Sequence, residues 1–99
     1  MKMLPNLRQR KNEIIGVIEK FGGSNIRIYG SVARGQDTQE SDIDLLVDCE
    51  SPSQELAQIA IAGMAGELGQ IFGRSFHIHG TKLLNPNQLR QILLTAIPL

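Results

Sequence analysis

Residues 30–44 read GSVARGQDTQESDID, and the organisation of the chain follows from what flanks and fills them. Before them, Ile26-Arg27-Ile28-Tyr29 alternates apolar with polar or amphipathic residues, the period of a half-buried strand, and runs straight into Gly30-Ser31. At their far end, Asp42-Ile43-Asp44 opens a second alternation through Asp48, with Ile43, Leu45 and Val47 on one face and carboxylates on the other. Two strands are therefore expected, joined by a glycine-led turn, the second with an acidic face. Asp42 and Asp44, two apart in a strand, hold their Cα atoms roughly 7 Å apart on one side. They can converge on one cation or a close pair, and hard carboxylate oxygens are the ligands magnesium prefers. Gly30 lets the backbone approach a phosphate closely, and the Ser31 hydroxyl with the amides after it can donate to one. Arg34 adds a planar, permanently charged fork, and Gly35 a tight exit from the turn. The plainer alternatives are a solvated acidic strand and an ordinary turn.

Outward from this stretch, Pro5 suits a first helical turn, and Leu7, Ile14, Ile18 and Phe21 lie near one helical stripe that Gly22-Gly23 ends. A first helix is expected there. Ser51-Pro52-Ser53-Gln54 has capping-box spacing with proline at the first helical position, and the apolar repeat that follows predicts a helix to about Gly69. Phe76-His77-Ile78-His79 alternates as a third strand with both histidines on the face away from the core. Asn85-Pro86 caps a last helix carrying Leu89, Ile92, Leu93, Ala96 and Ile97 on one face as far as Pro98. The expected fold is α+β: a small mixed sheet with helices covering one face and the other left for chemistry. With no repeat, linker or low-complexity tract, residues 1–99 are expected to form one domain.

Composition excludes several classes. Ten Lys+Arg balance ten Asp+Glu, but residues 36–67 hold eight acids and no base, so a uniformly basic nucleic-acid binder is ruled out. The four aromatics, Phe21, Tyr29, Phe72 and Phe76, are too few for base-stacking platforms, so direct nucleic-acid binding is not expected. The most apolar run, Ile59 to Ala65, is far short of the ~20 residues that span a bilayer. A lone Cys49 and the polar start MKMLPNLRQRKNE point to a cytoplasmic protein without a membrane partner.

Gly30-Ser31, ten residues, then Asp42-Ile43-Asp44 matches the G-S-x10-D-x-D pattern of the nucleotidyltransferase superfamily, with Ala33-Arg34-Gly35 and Ser41 fitting inside it. Over nearly its whole length the chain resembles the minimal nucleotidyltransferases, the MNT proteins encoded beside HEPN-domain toxins; its Gly73-Arg74 segment and proline-marked last helix follow the same layout. The resemblance implies a polymerase-β-like palm core that uses ATP and Mg²⁺ and an antitoxin that transfers AMP to a tyrosine of its HEPN partner. In that scheme Gly30, Ser31 and Arg34 bind nucleotide, while Asp42 and Asp44 are catalytic and hold the metal. Family members place a third aspartate on the strand after Gly-Arg, where this chain has His77, and no Asp or Glu follows Glu67. Imidazole is a poor magnesium ligand, although neutral His77 can accept a proton.

Two readings from different classes follow: an adenylyltransferase antitoxin, or a catalytically weak module that neutralises its toxin by binding alone. Transfer to a small molecule would need an acceptor-binding domain for which 99 residues leave little room. Lys82 is expected to solvate a loop, Cys49 to pack, and Asp48, some ~13 Å beyond Asp44, to stand apart from any metal pair.

Overall fold

The computed structural model describes residues 2–99. Two helices, α1 (Met3–Gln9) and α2 (Lys11–Lys20), precede strand β1 (Gly23–Tyr29), and a single helical turn, α3 (Gly30–Ala33), follows it at once. Next come β2 (Ile43–Cys49), the long α4 (Gln54–Phe72) and β3 (Phe76–Gly80). A 3-10 turn at Thr81–Leu83, α5 (Pro86–Leu93) and the two-residue β4 (Ile97–Pro98) end the chain. The strands make one sheet in the order β3-β2-β1-β4. β1 runs antiparallel to β2 and β4, whereas β2 and β3 are parallel, so the sheet is mixed. The parallel pair needs a long crossover, which α4 supplies.

The strand alternation read from the sequence sets the core. Ile28, Ile43, Leu45, Val47, Cys49, Phe76 and Ile78 share the buried side of the sheet, and Met3, Leu7, Ile14, Val17 and Ile18 of the first helices pack in the same cluster. Ile61, Met64 and Leu68 of α4 complete it. Each such aliphatic side chain, fully buried, contributes about 1.5–3 kcal/mol. Among the described residues, no helix is long and apolar enough to cross a membrane.

Four local expectations are corrected. The first helix is two, because Arg10 leaves helical geometry (φ −102°, ψ 26°) and turns its guanidinium to Glu13, 2.7 Å away, and over the Phe72 ring. The cap of α4 is Ser53, not Ser51: Ser53 is extended and its side chain accepts from the Leu56 N–H, which leaves Pro52 outside the helix. That helix continues past Gly69 to Phe72 and stops where Gly73 takes φ +64°, the left-handed conformation that glycine adopts without strain. Finally, α5 has the expected Asn85 cap, completed by Gln88 as a capping box, yet it ends at Leu93 and none of its residues is buried. Ile97 belongs instead to β4, paired with Ile28. Strand pairing takes the segment into which the helical stripe runs.

Candidate active site

The face of the sheet away from the helices carries the polar residues. In register across the strands lie Tyr29, Asp44 and His77, and one step along them Arg27, Leu46 and His79. Asp42 sits one residue before β2. Its carboxylate Oδ2 is 3.5 Å from His77 Nε2, and Asp44 Oδ1 is 3.8 Å from His77 Nδ1, so one imidazole ring spans both acids. The structure thus brings Asp42, Asp44 and His77 together.

Gly30 joins this group through its lack of a side chain. It holds φ +73°, and a Cβ built there would run into the Asp44 carboxylate. Backbone and acid are therefore in immediate contact, which only glycine permits. Ser31 lies in α3, the one-turn helix whose Val32 is buried in the core and anchors the turn to the sheet. Arg34 is exposed beyond it, with its Nε donating to Gln36 Oε1 at 3.1 Å.

The connection from Arg34 to Asp42 is tied down at both ends. Asp37 is 1% exposed, and its Oδ2 accepts from the Met3 N–H at 2.9 Å, fixing the loop to the start of α1. Nearer the site, the Ser41 hydroxyl accepts from the Thr38 N–H at 2.8 Å, and Ile43 N–H donates to the Ser75 carbonyl at 2.9 Å. Arg74 Nη2 donates to the carbonyls of Ser41, at 2.7 Å, and Thr38, at 3.1 Å.

Electrostatics separates Asp44 from its neighbours. Burial pushes its pKa up and the charge of Asp42 adds to this, against the opposing pull of His77, His79 and Arg34. Tyr29 is pushed up to about 12, by burial and then by Asp44. Its hydroxyl meets His79 Nδ1 at 2.5 Å. A cation placed between Asp42 and Asp44 would relieve their repulsion, and their all-oxygen donor set fits magnesium. Among the described residues no group of three or more His, Cys, Asp and Glu side chains is arranged to hold a metal ion. Remaining ligands would have to be oxygens of a bound substrate or water.

Three residues set apart by the sequence behave accordingly. Asp48 accepts from Asn25, Arg27 and Thr81, far along the strand from Asp44. Lys82 pairs with Glu50 at 2.9 Å, both exposed, and Cys49 is buried.

Known proteins share this sequence and this fold. Residues 11–97 match the family described as the nucleotidyltransferase domain. The chain belongs to this family. A Methanocaldococcus jannaschii protein, MJ0126, provisionally named a protein adenylyltransferase, is 37% identical over 65 residues. The aligned part is 66% of this chain and 63% of that protein. Among solved structures, one described as a minimal nucleotidyltransferase superposes with a TM-score of 0.81 at 32% identity, covering 100% of this chain and 97% of its own. The fold also appears in a toxin–antitoxin structure with AMP-PNP, with a TM-score of 0.75 at 19% identity, covering 89% of this chain and 70% of that one. The α+β fold and the transferase class implied by residues 30–44 are those of the family.

Sequence reasoning about this nucleotidyltransferase domain missed Asp37 and Arg74 as supports, the Tyr29–His79 pair, and Leu46. Leu46 is fully buried on the otherwise polar face, between Arg27 and His79 in register. The DLLVD run did contain that signal, since Leu46 breaks the strict alternation.

Proposed function

We propose that the chain is a one-domain, cytoplasmic antitoxin that transfers AMP from ATP to a tyrosine of a partner HEPN ribonuclease toxin and so neutralises it. The observation that carries this reading is the contact of Gly30 with the Asp44 carboxylate, which sets a phosphate-binding turn against the acid pair. Support for a protein partner comes from apolar side chains left exposed, Leu56, Ile59, Leu93 and Leu94, and from the recurrence of the fold in a toxin–antitoxin pair.

In the proposed mechanism Gly30 lets its backbone approach the triphosphate, while the Ser31 hydroxyl and Arg34 guanidinium hold phosphate oxygens. Asp42 and Asp44 would hold Mg²⁺, which when bound supplies neutralisation of phosphate charge. The acceptor's hydroxyl oxygen forms a bond to the α-phosphorus, the bond to the bridging oxygen breaks, and pyrophosphate leaves. His77, beside both acids, is the group in place to take the hydroxyl proton. Intact-mass measurement of the co-expressed partner, incubated with ATP and Mg²⁺, tests this: it gains the mass of AMP with wild type and not with Asp42→Asn, Asp44→Asn.

The same His77 favours a second reading, neutralisation by binding alone, because an imidazole stands where a third carboxylate would complete an oxygen cage. His77→Asp separates the two. AMP transfer that becomes slower means that His77 takes the hydroxyl proton, and faster transfer that the imidazole limits an active site; no AMP gain by either form, with the toxin still neutralised, establishes inhibition by binding.

A further inference from the structure

Asp42 lies outside the sheet ladder, one residue ahead of β2, so strand pairing does not by itself fix its carboxylate. Arg74 reaches the backbone on which it hangs. Because Gly73 turns left-handed at the end of α4, the chain reverses there, and the following arginine projects across to the loop before β2. One nitrogen, Nη2, donates to the carbonyls of Ser41 and Thr38, the first next to Asp42 itself. The Thr38 N–H to Ser41 Oγ bond closes the same loop from within, so the guanidinium grips a preformed turn.

We infer that Arg74 is a positioning residue that clamps the Thr38–Ser41 turn and thereby aims Asp42 at the site shared with Asp44 and His77. The clamp's contacts are backbone carbonyls of the loop, not the carboxylates themselves. In the reading proposed above, on which its functional consequence rests, it acts on the carboxylate pair and leaves the Gly30, Ser31 and Arg34 turn untouched, since that turn is anchored separately through Val32. Loss of the clamp should therefore weaken the magnesium-dependent part of nucleotide binding selectively.

Calorimetry of ATP binding with and without Mg²⁺ reads this directly in wild type, Arg74→Ala and Arg74→Lys. In Arg74→Ala the gain in affinity on adding Mg²⁺ should shrink roughly fivefold, the equivalent of about one hydrogen bond. Metal-free binding should stay near wild type. Arg74→Lys, still able to donate to the Ser41 carbonyl, should recover part of the gain. An unchanged magnesium gain, or an equal loss with and without the metal, overturns the clamp. Should wild type show no magnesium gain, the nucleotidyl-transfer reading falls, and amide exchange decides the clamp: it must rise at Thr38, Ser41 and Ile43, whose N–H groups are bonded in the clamped loop, in Arg74→Ala and recover in Arg74→Lys, and unchanged exchange there overturns it.

Discussion

Asp44 and Asp48 stand on the same strand and the same face, and their surroundings are opposite. Asp48 accepts from Asn25, Arg27 and Thr81; although burial opposes ionisation, those hydrogen bonds and the Arg27 charge hold its pKa below the ordinary value. Around Asp44 there is Asp42, a histidine at 3.8 Å, and a glycine backbone pressed against it, and its pKa is raised. One carboxylate is used up in holding strands together. The other is left with unspent hydrogen-bonding capacity and a charge that the fold tolerates at a cost, as expected of a group kept for a ligand.

The largest expected effect breaks the Asp44 side of this contrast: Asp42→Asn with Asp44→Asn should lower AMP transfer about a hundredfold or more, read by partner mass against time. Next, Ser31→Ala and Arg34→Ala should each weaken ATP binding by about 1.5–3 kcal/mol, one to two decades by calorimetry, with unchanged circular dichroism. On the Asp48 side, Asp48→Ala should destabilise the fold by about 2 kcal/mol in urea unfolding, because it strands the half-buried Arg27, while ATP binding persists.

The smallest effects sharpen the contrast through their signs. A depressed carboxylate stabilises the fold above its unfolded pKa and loses that contribution as pH falls through the folded value. The Asp48 contribution should therefore begin to fall at about pH 4 and be lost only as pH drops further, through the lowered folded value, where wild type and Asp48→Asn converge. Asp44 has the opposite sign: its raised pKa makes the charge unfavourable at neutral pH, with relief as pH falls through the folded value. Without metal, Asp44→Asn should stabilise the chain at pH 7 by less than about 1 kcal/mol, and the gain should disappear in acid. A destabilised Asp44→Asn at pH 7 would erase the distinction between the two residues.

What the sequence revealed was what local pattern can carry. Alternation marked β1, β2 and β3 and gave the two faces, and the residues of 30–44 marked the turn and the acid pair. Residues that act across the chain left no local trace: Asp37 meets Met3, and Arg74 meets Ser41, each more than thirty positions away. β4 was hidden because a two-residue strand has no measurable period, and the apolar stripe of α5 ran on into it. Leu46 was legible in principle, though its burial depends on flanking Arg27 and His79, which only the strand register reveals.

The sheet register also orders how the site can assemble. Tyr29 pairs with Asp44 antiparallel across one connecting loop, so the glycine turn and Asp44 meet as soon as that hairpin closes. His77 pairs with Asp44 only in the parallel ladder, which must wait for all of α4 to dock. Closing the longer loop costs more chain entropy and comes with slower, less local contacts. Refolding followed residue by residue should therefore find the acid pair beside its turn before the imidazole arrives between the two acids. Destabilising α4, for instance with Met64→Ala, should delay the histidine's arrival and leave hairpin closure unchanged.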